Sequence, residues 1–103
     1  MQINWDQRKS DSNKKKHGIA FEQAKEVFQD KNAIVDSGAS KNGEERWIAI
    51  GKTLKLFLIA VVFTIRDATI RIISARQARK NEVKAYLSHS LNDESNGESN
   101  VNQ

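Results

Sequence analysis

Apolar residues are sparse over the first seventeen positions and then recur at helical spacing. In AFEQAKEVFQD (20–30), Phe21, Ala24, Val27 and Phe28 share one stripe, with Glu22, Lys25 and Glu26 outside it. That segment is predicted as a helix. Upstream, INWD (3–6) fits a short first strand. QRKSDSNKKK (7–16) is polar all round and fits a solvated helix or a loop; its lack of Pro and Gly favours the helix, and Gly18 interrupts it. AIV (33–35) suggests a second strand, and DSGASKNGEE (36–45) is a turn or hairpin loop. ERWIAIG (45–51) sets Trp47 and Ala49 against Ile48 and Ile50, with a turn marked by Gly51, Lys52 and Thr53. KLFLIAVVFTIR (55–66) is apolar on both faces, as a central strand covered on both sides would be. Asp67 and Ala68 make a short turn before TIRIIS (69–74).

Ser74 and Gln77 stand at capping-box spacing, which predicts a last helix from about Ala75 with Val83, Tyr86 and Leu87 as its apolar stripe. Beyond Ser90 the chain is rich in Asn, Ser and Glu and has no periodicity, the pattern of a disordered tail. The expected organisation is one domain at 1–88 and a polar tail at 89–103. The fold class is α+β: N-terminal helices packed on a mainly antiparallel sheet, whose last three strands form a meander, followed by a C-terminal helix.

A chain of 103 residues suits a single small domain. It has no cysteine, so disulfides and thiolate metal sites are excluded. The apolar run LFLIAVVF (56–63) is well short of the roughly 18 residues of a membrane-spanning helix. The N-terminus carries no signal-like stretch, and a soluble, cytoplasmic protein is expected. Net charge is +4, unevenly spread. The last sixteen residues hold Asp93, Glu94 and Glu98 and no Lys or Arg, which leaves a body with 17 bases, 10 acids and a charge of +7. Such a body attracts polyanions through counterion release, and an acidic protein partner is the other reading of the same charge.

The candidate chemistry lies in TIRIISARQAR (69–79). With Arg76 in the first turn of the last helix, its charge opposes the helix dipole, a cost that disappears if an anion sits between the guanidinium and the free backbone N–H groups. Arg71 leaves the same strand and Arg79 lies one turn on, so the three are candidates for cradling a phosphate. The plainer reading is a solvated rim pairing with Glu82. Lys16 and His17 form a second candidate, with His17 a possible base. Glu45 is a candidate base, and Arg46 and Arg66 are candidate RNA contacts. Trp5 and Trp47 are expected in the core. No metal-ligand spacing, phosphate loop, Ser–His–Asp order or RNA-recognition aromatic motif is present, and no metal or other cofactor is expected.

KHGIAFEQAKEVF (16–28), ERWIAIG (45–51) and VVFTIRDATIRIISARQARKNEVKAY (61–86), with Asn13 preceding the first, together resemble the BrnT family of type II toxin–antitoxin systems. The resemblance runs from about Trp5 to Tyr86. It implies a RelE-like fold and a metal-independent ribonuclease that cleaves RNA and halts translation. It also implies neutralisation by a BrnA-like antitoxin in a hetero-oligomer. On that reading Arg71 and Arg76 stabilise charge with help from Lys16, Glu45 or His17 is the base, and Tyr86 is the acid. The alternative is a non-catalytic basic module that docks RNA or an acidic protein.

Overall fold

The computed structural model describes the backbone of residues 1–102 and the side chains of residues 1–91. The elements are β1 (Gln2–Asn4), α1 (Gln7–His17), α2 (Phe21–Ala24) continuing into a 3₁₀ turn (Lys25–Gln29), β2 (Ile34–Ser37), β3 (Trp47–Lys52), β4 (Leu58–Arg66), β5 (Thr69–Gln77) and α3 (Lys80–Asn102). One sheet carries them in the order β1-β5-β4-β3-β2. Strands β2 to β5 are each antiparallel to the next, so the consecutive antiparallel run has four strands, one more than the sequence suggested. β1 alone is parallel, adding to the outer edge of β5 with Asn4 beside Arg71. The expected disordered tail, 89–103, falls almost wholly outside the described side chains. Among the described residues no helix is long and apolar enough to cross a membrane.

α1 forms without an apolar stripe, for reasons that are local at its ends and tertiary in its middle. The Asp6 side chain accepts from Arg8 N–H at 2.8 Å, and Gly18, at φ 75°, returns its N–H to the Lys14 carbonyl. The buried residues of α1 are Ser10 and Asn13, and both are paired. Ser10 Oγ accepts from Phe21 N–H, which fastens α2 to α1. Asn13 bonds both backbone groups of Ala75 and the Ile19 carbonyl at 2.8 to 3.1 Å. β1 covers β5 only as far as Arg71; further along, the Asn13 amide takes the place of a neighbouring strand at Ala75, meeting a backbone demand that burial would otherwise leave costly.

One sheet face packs under α1, α2 and the 3₁₀ turn. Phe21, Ala24 and Val27 meet Ala49, Val61, Ile72 and Ala75 there, and Trp5 and Trp47 close its margin as expected. Gly51 belongs to this packing and not to a turn: a Cβ at that position would stand 2.9 Å from Val27 Cγ1. On the other face, the start of α3 covers a smaller cluster of Ile50, Ala60 and Tyr86.

β5 departs most from the expected pattern. It continues to Gln77, three residues beyond the expected strand end at Ser74, with Arg76 opposite Ala60 and Gln77 opposite Ile59. The Ser74–Gln77 spacing is therefore not a cap. Arg79 is the capping position: its carbonyl accepts from Val83 N–H, and its own N–H donates to Glu82 at 2.8 Å. Within β5 the ladder steps from Ile72–Phe63 to Ser74–Val62 and leaves Ile73 as an extra residue. Residues five apart on a regular strand point to opposite faces. The bulge adds one position, so Arg71 and Arg76 emerge from the same face, the one shared with α3.

Candidate active site

On that face α3 covers only part of the sheet, and the remainder is lined by arginines. Arg66 is the last residue of β4; it meets Glu44 through two hydrogen bonds, Nε to Oε2 at 2.7 Å and Nη2 to Oε1 at 3.1 Å. Glu44 closes the tight turn after β2, where Lys41 and Glu44 bridge and Asn42 and Gly43 adopt positive φ. The Glu44 carboxyl is held below its usual range, first by the Arg66 hydrogen bond, with the charges of Arg46 and Arg71 acting in the same direction. One carboxylate is thus bonded to Arg66 and lies in the field of two further guanidinium groups. Arg71 is fixed by its Nη1, which donates to Asn4 Oδ1 at 3.2 Å. Arg46 Nε is buried and has no hydrogen-bond partner. Between these groups Thr64 is buried and donates to the Glu45 carbonyl, joining β4 to the start of β3.

Arg76 belongs to a different assembly. It pairs with Glu82 at 2.7 and 3.0 Å, and the same carboxylate caps α3 at Arg79 N–H. The pairing lowers the Glu82 carboxyl, and burial works against it. Arg76 lies four rungs from Arg71 along β4, about 13 Å at 3.3 Å per residue. The expected cradle of Arg71, Arg76 and Arg79 around one phosphate is therefore not formed. The plainer reading of Arg76, a pair with Glu82, is the one found.

Tyr86 lies in the core at 2 % exposure and donates its hydroxyl to Asp30 at 2.7 Å. Burial, then Asp30, pushes it up to about 12, which sets it apart from the acid expected of the sequence. Asp30 itself, despite burial, is held below the usual range by N–H donors from Lys52 and Asn32 and by Tyr86. Lys16 and His17 are exposed at the end of α1, on the opposite side of the sheet from Arg71, where His17 shares a groove with Gln23 and Phe57. Glu45 is exposed next to the cluster. Sequence reading passed over Glu44 and Asn4. The doubled acid before Arg46 was the available signal for the first; only the parallel pairing of β1 reveals the second. Among the described residues, no group of His, Cys, Asp and Glu is placed to hold a metal ion.

Residues 5–82 match the family described as the ribonuclease toxin BrnT of type II toxin–antitoxin systems. The chain belongs to the BrnT family. The fold is also similar to that of the crystal structure of the Brucella abortus ribonuclease toxin BrnT, with 29 % identity and a TM-score of 0.56 over 78 % of this chain and 99 % of that one. No curated protein sequence matches. The BrnT match takes in the whole arginine cluster together with Asn13 and the β5 bulge, while Asn4, which holds Arg71, lies just outside it.

Proposed function

We propose that the open face binds and cleaves RNA, with Arg71 as the central charge-stabilising residue and Arg46 and Arg66 beside it. The observation that carries this reading is the two-bond pair of Arg66 with Glu44, whose carboxylate also lies in the field of Arg46 and Arg71 and occupies a position suited to a phosphate. RNA entering the site exchanges that carboxylate for a phosphodiester. The ribose 2′-oxygen attacks phosphorus as the bond to the 5′-oxygen breaks. The Glu45 carboxylate takes the 2′-proton, the departing oxygen is protonated from water, and a 2′,3′-cyclic phosphate and a 5′-hydroxyl result. The arginines neutralise charge that grows on the phosphate oxygens, so no metal is required. The exposed Arg79 extends the basic track to the flanking RNA backbone.

On this reading the chain is a RelE-like toxin of the cytoplasm that inhibits translation and is held in check by a BrnA-like antitoxin. The test is incubation of purified protein with total RNA in EDTA. Cleavage is expected for the wild type and not for Arg71→Ala, with matching circular dichroism. Intact RNA with the wild type, or undiminished cleavage by the variant, would remove the assignment.

A further inference from the structure

The turn between β3 and β4 sets three large apolar side chains in water: Leu54 at 73 %, Leu56 at 72 % and Phe57 at 59 % exposure. Four hydrogen bonds hold its backbone. Thr53 N–H reaches the Phe57 carbonyl, Leu56 N–H the Thr53 carbonyl, Phe57 N–H Thr53 Oγ1, and Leu54 N–H a carboxylate oxygen of Glu26. Leu56 is held at φ 69°, a conformation that few side-chain-bearing residues adopt. The fold therefore accepts backbone strain to present an apolar ridge in a fixed shape. Grooves of about 230 Å³ and 410 Å³ lie on either side, the first beneath Phe57 and beside His17 and Gln23, the second between Leu54 and Ala20.

We infer that this ridge is the docking site for an amphipathic helix of the antitoxin, which carries acidic residues along its flank. The inference depends on the toxin–antitoxin reading for the partner's existence and on the surface for its place and chemistry. A rigid apolar ridge between two grooves suits a helix that seats large side chains on either side, and preorganisation spares the ordering cost of binding. The charge follows from the neighbours. Two acids border the second groove, Glu26, which accepts from Leu54 N–H, and the exposed Glu22, 3.5 Å from Ser10 Oγ, and four bases outnumber them. The bases are exposed, with Lys55 in the turn and Lys14, Lys15 and Lys16 closing α1. The ridge stands at the end of the sheet where Lys52 pairs with Leu58, and the arginine cluster stands at the other, where Arg66 pairs with Thr69. Antitoxin affinity and RNA cleavage should therefore separate.

The probe is the purified product of the reading frame adjacent to this chain's gene, titrated into the full chain by calorimetry. The double variant Leu54→Ser/Phe57→Ser is expected to weaken binding about 30-fold, the size of an interface hot spot, with thermal midpoint and RNA cleavage unchanged. Lys55→Glu, a surface change that keeps the apolar ridge, is expected to weaken it about tenfold. Wild-type affinity in the double variant overturns the proposal. So does loss of RNA cleavage together with binding in a folded variant, which would assign the ridge to the RNA site. A wild-type chain that leaves RNA intact defeats the ribonuclease reading alone, because the calorimetry still decides the ridge.

Discussion

Two bidentate arginine–glutamate pairs with nearly identical distances lie on the same sheet face, one end-on through Nη1 and Nη2 and one side-on through Nε and Nη2. Arg76–Glu82 has side-chain exposures of 21 % and 11 %, and its carboxylate also caps α3. Arg66–Glu44 has exposures of 56 % and 30 %, and its carboxylate also feels the charges of Arg46 and Arg71. The first joins a strand to a helix, and its removal would leave a part-buried charge without a partner. The second joins only surface groups, holds surplus positive charge and can open without disturbing the core. A pair of this kind is structural or functional according to its burial and its neighbours, not its bond lengths.

The sharpest way to break that distinction is Arg71→Ala. It is expected to reduce RNA cleavage by about 100-fold or more, as loss of one preorganised charge-stabilising donor does, and to leave the melting midpoint in place; a large drop in melting with cleavage intact would reverse the roles given to the two pairs. Next in size is Glu82→Gln. It should cost about 1–2 kcal/mol in denaturant unfolding through the weakened Arg76 bond and helix cap, while the folded fraction cleaves RNA normally.

The pH dependence sharpens the same contrast. Glu82 and Asp30 have lowered folded values, so their stabilisation is complete above the unfolded carboxylate range near pH 4 and is lost as pH falls through the folded values. Tyr86 runs the other way: its contribution is complete below its unfolded value of 10.0 and is lost as pH rises to about 12. Melting scans across pH should show both limbs. Tyr86→Phe should remove the alkaline one, and an unchanged alkaline limb in that variant would detach Tyr86 from it. The smallest effect belongs to Glu44→Gln. Its thermal midpoint should match the wild type, and its affinity for single-stranded RNA at low salt should rise a few-fold as the internal competitor is weakened. A lower midpoint would make the exposed pair structural after all.

Much of the helix and strand order was legible because it rests on local periodicity. Phe21, Ala24 and Val27 lie on one helical stripe, and the run from Leu58 to Phe63 is apolar on both faces; both patterns report what each segment buries. α1 was legible only as a preference. What docks it is Ser10 and Asn13, two polar residues whose partners lie in α2 and β5 and leave no periodic trace. The capping box at Ser74 misled because the same residues make a ladder with β4, and ladder pairing together with the Asn13 bonds to Ala75 outweighs a single helix cap.

The sequence by itself determined that this is a small, basic α+β chain of BrnT type with arginines flanking its longest strands, because composition, period and family pattern are written along the chain. Tertiary structure alone decided which arginines act together. A one-residue bulge turned Arg71 and Arg76 to one face, the parallel β1 brought Asn4 to Arg71, and the turn after β2 carried Glu44 to Arg66. Each of these depends on backbone register between distant segments, and register is fixed only when the sheet assembles.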